Sequence, residues 1–275
     1  MYIRLALLRR FRGRSPSGES GALETLFYDN DDWALRALSF RPEARRGRQA
    51  LIASPMQVRS VDHEHEELAL HLGEAPYRVD QYARYRAFTS EQTAGLYAYY
   101  DLPVFWTGSG VWGDAASPAK LMMMPAGADS LAVGSGGYEG AAPPVGRTVF
   151  AGGRRYESPR PQAAEHESAP PPLYAHTRLM GRVVFSPDGR LGTISDLLID
   201  LETWRIRYLI VWVEAPGEAG EFLLSPFWVN GSPVRGRMTV PITTEAILSG
   251  PNFMADELQP LDERILARYF GFLTD

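Results

Sequence analysis

The alternation of apolar and polar positions predicts short β-strands near both ends of the chain. The segment 203–213 reads TWRIRYLIVWV, and its content of aromatic and β-branched residues is typical of a strand. Its second half is apolar at successive positions, so we expect that half to be covered on both faces. The sequence Ser-Pro-Asp-Gly at 186–189 predicts a hairpin turn, because proline fits the second turn position and glycine the left-handed one. Short strands separated by turns in this way predict a small barrel or sandwich.

Helix signals follow the predicted strands at each end. Thr89 and Gln92 have the spacing of a capping box, and Thr243 or Thr244 can cap a second helix. Pro260 is placed to open a third helix. Each of these segments carries an apolar stripe, so we expect the helices to dock on a barrel rather than stand alone.

Identical residues recur at a constant separation of 171 positions. The recurrence begins at Ser15-Pro16 and Ser186-Pro187 and continues without a gap to Val58 and Val229. The pairs between them include Leu26 and Leu197, Asp29 and Asp200, Trp33 and Trp204, Arg36 and Arg207, Leu38 and Leu209, and Ser54-Pro55 and Ser225-Pro226. We interpret this pattern as a tandem duplication of one small domain.

Composition separates the two copies. Of the 67 residues in 107–173, 20 are proline or glycine, and most of the others are alanine, serine or charged. Such a stretch is typical of low-complexity linkers, with Trp112 and the run Leu121–Met124 as exceptions that we expect to pack against a neighbouring domain. The sequence therefore predicts domains at 1–106 and 174–275, joined by a linker at 107–173 rich in proline, glycine and alanine.

Several classes of chemistry are disfavoured by composition. The chain has no cysteine, so disulfides, thiolate metal sites and cysteine nucleophiles are excluded. Lys120 is the only lysine, and it lacks a phosphate-loop motif around it. No apolar run is long enough to span a membrane, and the arginine-rich start does not resemble a secretory signal. We therefore expect a cytoplasmic protein without a transmembrane segment.

Candidate catalytic or metal-binding residues are few. His63 and His65 would share one face of a strand, which makes them candidates for a metal site, although they can equally be solvated charged residues on a strand or turn. The acidic residues before Trp33 and Trp204 lie where aspartate favours turns, and Arg36 and Arg207 are expected to pair with them. We predict no catalytic residue, cofactor or metal, and an enzymatic function would rest on the two histidines alone.

Charge offers a hypothesis about partners. Residues 1–60 hold 11 arginines against 6 acidic residues, whereas 61–106 hold 3 arginines and 8 acidic residues. Arg9, Arg10, Arg45 and Arg46 are the candidates for contact with RNA phosphates or another anion. Alternatively, these arginines keep exposed segments soluble and pair with the acidic stretch that follows.

Similar motifs surround the predicted turns of the two copies. The second copy carries Gly189-x-x-Gly192-x3-Asp196-x3-Asp200, followed by Trp204-x-Ile206-Arg207-Tyr208. The first copy carries Gly18-x-x-Gly21, Asp29, Trp33 and Arg36, with Thr25 where the second has Asp196. These motifs resemble the PRC-barrel family, named for the cytoplasmic domain of the photosynthetic reaction-centre H subunit. The aromatic stretch from Tyr99 to Trp106 is similar to the ending found in bacterial proteins with two tandem PRC-barrels.

The resemblance implies a mainly β protein made of two tandem PRC-type β-barrels, each with a C-terminal helical appendage. It implies no enzymatic activity. We therefore expect a non-enzymatic interaction or adaptor protein that binds a protein partner. The alternative is an RNA- or ribosome-associated factor that binds through the N-terminal arginine clusters.

Overall fold

The computed structural model describes residues 1–18, 20–42, 49–73, 76–80, 87–124, 149–151, 154–156, 169–215, 218–231, 236–250 and 260–270. The chain divides into two compact units, each assembled from separate stretches. Unit 1 comprises Met1–Leu131, Ser168–Met180 and Leu197–Arg207, and unit 2 comprises Ala132–Glu167, Gly181–Asp196 and Tyr208–Asp275. The chain is mainly β, as the sequence predicts.

Short strands dominate the described residues. The strands are β1 (Tyr2–Arg4), β2 (Arg12–Arg14), β3 (Ser20–Tyr28), β4 (Leu35–Pro42), β5 (Gln49–Ala53), β6 (Val58–Asp62), β7 (Glu67–Leu70), β8 (Arg78–Asp80), β9 (Ala87–Phe88), β10 (Val149–Ala151), β11 (Arg154–Tyr156), β12 (Leu173–Ala175), β13 (Val183–Ser186), β14 (Gly189–Asp200), β15 (Arg205–Ala215), β16 (Glu218–Leu224) and β17 (Met238–Thr239). The α-helices are α1 (Leu5–Leu8), α2 (Ser90–Tyr99), α3 (Pro118–Met123), α4 (Thr244–Leu248) and α5 (Pro260–Tyr269), with short 3₁₀ turns at Pro55–Gln57, His176–Arg178 and Pro226–Trp228.

Unit 1 is built around a sheet with the strand order β6-β7-β2-β3-β4-β5-β8, to which β12 and β9 add through β3. Neighbours in this order are antiparallel except for β2 and β7, which run parallel. Strands β3 and β4 supply its centre, where Leu26, Leu38 and Phe40 are completely buried. Strand β1 pairs instead with the end of β14 at Leu198–Asp200, a stretch that belongs to unit 1.

The strands of unit 2 follow the order β16-β15-β14-β13-β17, of which β14 belongs to this unit up to Asp196 and β15 from Tyr208. Its first hairpin is the predicted one, since β13 ends at Ser186 directly opposite Gly189, whose φ is +137°. Strand β15 is buried on both faces from Tyr208 to Val211, as its apolar pattern predicts, but Trp212 in the same half is 42% exposed, so the expectation holds only for part of that half. Gly192 is required in β14, because a Cβ there would overlap the carbonyl oxygen of Trp212 on β15.

The helix caps follow the sequence signals. Thr89 and Gln92 form a reciprocal capping box at the start of α2. The hydroxyl of Thr243 accepts a hydrogen bond from the backbone N–H of Ala246 at the start of α4, and α5 begins at Pro260. These predictions are confirmed because each depends only on residues that are adjacent in sequence.

Both ends of the segment predicted as a linker, 107–173, contain described elements of structure. Residues 107–124 belong to unit 1, where α3 is capped by Ser117, and at the other end Leu173 begins β12. The ring of Trp112 is fully buried, as expected, whereas in the run Leu121–Met124 only Leu121 is buried. A few large apolar side chains are enough to anchor a chain that is otherwise rich in glycine and proline. Residues 125–148 and 157–168 lie outside the described residues, and the predicted domains at 1–106 and 174–275 stay a prediction.

Among the residues that the structure describes, no helix combines the length and the apolar character needed to cross a membrane.

We predict that Trp204→Ala lowers the free energy of unfolding by about 3–5 kcal/mol, since the side chain is only 4% exposed. Trp212→Ala is the matched control, because that ring is 42% exposed, and we expect a loss below about 1 kcal/mol. Urea titration of both variants measures the difference. A loss below about 1 kcal/mol for Trp204→Ala would contradict its place in the core.

Candidate interaction surface

The arginines near the start of the chain are partly engaged by acidic neighbours. Nη2 of Arg10 lies 2.6 Å from Oε1 of Glu66, and Nε of Arg14 lies 2.9 Å from Oε2 of Glu67. Arg9 is exposed at the end of α1. The structure brings these pairs together because β2 lies beside β7. Pairing with the acidic stretch, one of the two alternatives for these arginines, is thus observed for Arg10; Arg45 and Arg46 lie outside the described residues.

The histidine candidates lie in a turn between β6 and β7 rather than on a strand. Nδ1 of His65 lies 2.9 Å from Oδ2 of Asp62, and its backbone N–H donates to Oδ1 of the same carboxylate. These hydrogen bonds lower the pKa of Asp62. The ring of His63 contacts Phe11 edge-on, with 5.6 Å between centroids. Within the described ranges, no three His, Asp or Glu side chains are grouped closely enough to hold a metal ion.

A different histidine is buried in unit 1. His176 is 1% exposed, and its Nδ1 accepts a hydrogen bond of 3.1 Å from the backbone N–H of Leu26. Burial lowers its pKa to about 4, and the nearby charge of Arg9 acts in the same direction. The ring is therefore neutral at pH 7. No local sequence pattern indicates this partner of His176, because the pairing of β12 with β3 joins residues about 150 positions apart.

The most distinctive charged group in unit 1 is Arg36, whose side chain is completely buried. Its Nε donates to Oδ2 of Asp29 at 2.6 Å, and its Nη2 donates to Oδ2 of Asp32 at 3.1 Å. The sequence predicts this pairing. The two aromatic contacts are not evident from the sequence: Cζ lies 3.9 Å from the ring centroid of Phe105 and 4.4 Å from that of Trp112. Burial of a cation in this way requires both the carboxylates and the rings.

Two carboxylates are held together by this arginine and by the turn between β3 and β4. Oδ1 of Asp29 accepts the backbone N–H groups of Asp31 and Asp32, at 3.1 and 2.6 Å. Burial raises the pKa of Asp32 to about 6, and the negative charge of Asp29 adds to the rise while Arg36 opposes it. Nη1 of Arg36 has no hydrogen-bond partner among the described residues, which leaves it to the faces of the two rings.

Residues 97–112 form a cover over this arginine. The hydroxyl of Tyr97 donates to the carbonyl oxygen of Arg36 at 3.2 Å and lies 3.2 Å from Oγ of Ser54. Burial raises the pKa of Tyr97 well above its ordinary value. Nε1 of Trp112 donates to the carbonyl oxygen of Thr203 at 2.7 Å. The cover is therefore tied at several points to the core of unit 1.

The same part of the chain carries a concentration of exposed apolar side chains. Five of the ten large apolar side chains that are exposed in the described residues lie in 99–124: Tyr99, Val104, Met122, Met123 and Met124. Three of them are consecutive, and Met123 is 83% exposed. We call Met122–Met124 the methionine segment. It follows Leu121, which is buried and anchors α3.

No protein-family model matches the chain, and no curated protein matches its sequence.

We predict that Arg36→Leu destabilises the protein by about 3–5 kcal/mol, because the carboxylate of Asp29, only 1% exposed, would lose its cation. Arg41→Leu is the control: Arg41 is 63% exposed and lies 3.8 Å from Glu24, so we expect a loss of about 0–1 kcal/mol. Chemical denaturation measures both. Equal losses for the two variants would contradict the structural role given to Arg36.

We predict that His176→Gln reduces the pH dependence of stability between pH 7 and pH 4. The folded pKa of about 4 lies below the ordinary value of 6.5, so the unfolded chain binds the proton first and the wild type loses stability as the pH falls through this window. Between pH 7 and pH 4 the free energy of unfolding should fall by roughly 3 kcal/mol more for the wild type than for the variant. Urea titrations at a series of pH values measure it, and parallel curves would mean that His176 is not buried in its neutral form.

Proposed function

We propose that the chain is a non-enzymatic interaction protein of the PRC-barrel type that binds a protein partner through the methionine segment. The observation that carries the proposal is the exposure of Met122 and Met123 at the end of α3, and of Met124 directly after it, where the buried Leu121 anchors the helix in unit 1. Contiguous exposed apolar side chains mark interaction sites on proteins. Methionine is suited to such a site because its flexible, polarisable side chain adapts to an apolar partner.

The anchoring of this surface supports the proposal. Tyr97, Phe105 and Trp112 hold the chain on Arg36, so the segment that leads to α3 starts from a rigid base. A preorganised surface loses little conformational entropy when it binds. The partner that fits is a protein that presents an apolar segment, such as one face of an amphipathic helix.

Three motif residues support the PRC-barrel part of the proposal. Asp29 accepts the backbone N–H groups of the turn that leads to Trp33, and it pairs with Arg36 on the following strand. Each residue of the motif thus has a role in shaping one tight strand–turn–strand unit. On this basis we propose that each of the two copies folds as a small curved barrel.

The alternative of RNA binding has less support from the arginines that the structure describes. Arg10 and Arg14 already pair with Glu66 and Glu67, and a phosphate would have to compete with these carboxylates. Exposed ion pairs are weak, so the competition is possible. The alternative therefore rests on Arg9 and on residues outside the described part.

The test compares the polypeptides retained from a cell lysate by the wild type, by Met122→Asp with Met123→Asp, and by Leu7→Asp. Leu7 is the matched control, because it is 42% exposed in the same unit and lies outside the methionine segment. We expect a partner that is retained by the wild type and the control and weakened at least about tenfold by the double variant. Its affinity for each purified variant is then measured directly.

Equal retention by all three proteins, or retention of no specific polypeptide, would contradict the proposal. Retention of nuclease-sensitive RNA that is lost on replacing Arg9 and Arg10 would favour the alternative instead. Thermal melts of each variant show whether the substitutions leave the fold intact.

A further inference from the structure

Two short strands at distant points of the chain make equivalent pairings. In β1, Ile3 lies opposite Ile199 and Arg4 opposite Leu198. In β12, Tyr174 lies opposite Tyr28 and Ala175 opposite Phe27. Adding 171 to Ile3 and Arg4, and subtracting 171 from their partners, converts the first two pairs into the second two. The short strand at the start of each copy therefore pairs with the other copy.

A second pair of contacts obeys the same relation. The backbone N–H of Leu35 donates to the carbonyl oxygen of Trp204 at 2.7 Å, and that of Ile206 donates to the carbonyl oxygen of Trp33 at 2.8 Å. Between these bonds, Ala34 forms a β-bridge with Arg205. Trp33 and Trp204 have nearly the same left-handed φ, +56° and +53°. Interchanging the two copies converts each of the two hydrogen bonds into the other and leaves the bridge between Ala34 and Arg205 unchanged.

Contacts and turns within each copy are also related by the offset of 171 positions. A Cβ on Gly21 would overlap the carbonyl oxygen of Arg41, and a Cβ on Gly192 would overlap that of Trp212. The 3₁₀ turns at Pro55–Gln57 and Pro226–Trp228 also differ by 171 positions. Four kinds of feature thus share one offset: strand pairs, turn conformations, close backbone approaches and 3₁₀ turns.

Contacts that exchange in this way are characteristic of a two-fold interface, in which residue i of one subunit meets residue j of the other and j meets i. We propose that the two copies are each other's binding partner, in a strand-exchanged two-fold interface closed within one chain, and that this interface also accepts the corresponding half of a second copy of the chain. The exchange interface comprises β1, β12, the ends of β3 and β14 that pair with them, and the bridge between Ala34 and Arg205.

The exchange interface is built as a specific contact. Tyr28 and Ile199 are completely buried, and Trp33, Trp204 and Ile3 are exposed by no more than 6%. All these residues lie within unit 1, which is therefore incomplete without the stretch Leu197–Arg207 from the second copy. That stretch fits the site because of its backbone register and its apolar side chains, which an identical chain supplies equally well.

The covalent connection decides which copy occupies the interface. The two copies belong to one covalent chain, so their association is intramolecular and is favoured over association with a second chain at low protein concentration. We therefore expect the monomer at low protein concentration, and exchange between chains when the protein refolds at high concentration.

The absence of cysteine from the sequence permits a direct test by engineered disulfides. Tyr2 and Asp200 face each other in the register of β1 and β14, and both are only half-buried. Facing residues of neighbouring strands meet the distance requirement of a disulfide. In one chain, Tyr2→Cys together with Asp200→Cys should form an internal disulfide, which shows as faster migration on a non-reducing gel.

The exchange itself is tested by mixing two chains that carry one substitution each. A Tyr2→Cys chain and an Asp200→Cys chain, unfolded and refolded together, should give a disulfide-linked dimer at least about tenfold more abundant than either chain refolded alone. The dimer should increase with protein concentration during refolding. Met123→Cys mixed with Asp200→Cys is the control, because Met123 is exposed and outside the interface, and it should give no such dimer.

Ala34→Cys mixed with Arg205→Cys repeats the test at the bridge, in case Asp200→Cys disturbs its turn. Failure of the internal disulfides to form at both sites would overturn the strand-exchanged interface. Internal disulfides without any cross-linked dimer, at any refolding concentration, would overturn its ability to accept a second copy.

Discussion

The buried guanidinium of Arg36 is the constraint on which much of unit 1 depends. A cation in this position must recover the solvation that it has lost, and it does so through Asp29, Asp32 and the faces of Phe105 and Trp112. The two carboxylates come from one turn, whereas the rings come from a stretch about 70 residues further along the chain. One charged group therefore fixes the position of a segment that its composition alone would leave as a linker.

The position of Arg36 also affects how the methionine segment is exposed at the surface. Because the aromatic rings are held on Arg36, the chain that follows them reaches α3 from a fixed starting point, and Leu121 anchors that helix in the same unit. The methionine segment is then exposed on an ordered base. Arginines near the start of the chain are placed differently: Arg10 and Arg14 lie at the surface beside glutamates, where ion pairs contribute little to stability.

The contacts of the proposed exchange interface include several between backbone atoms. The strand pairs of β1 and β12 require extended backbone in the correct register, and the two hydrogen bonds accepted by the carbonyl groups of Trp33 and Trp204 require the left-handed turn at these residues. This explains how the contacts can be equivalent although Ile3 stands in β1 where Tyr174 stands in β12. The recurrence of motif residues is strongest at the turns, where an unusual backbone conformation restricts the choice of side chain.

The sequence by itself determined the features that depend on neighbouring residues. The capping box of Thr89 and Gln92, the hairpin turn that ends at Gly189, the buried part of strand β15 and the pairing of Arg36 with the acidic turn all follow from local patterns. Only the tertiary structure decided which distant segments meet. The rings that cover Arg36, the burial of His176 against β3 and the pairing of β1 with β14 depend on chain reversals that no local pattern encodes, because each is stabilised by contacts between residues far apart in sequence.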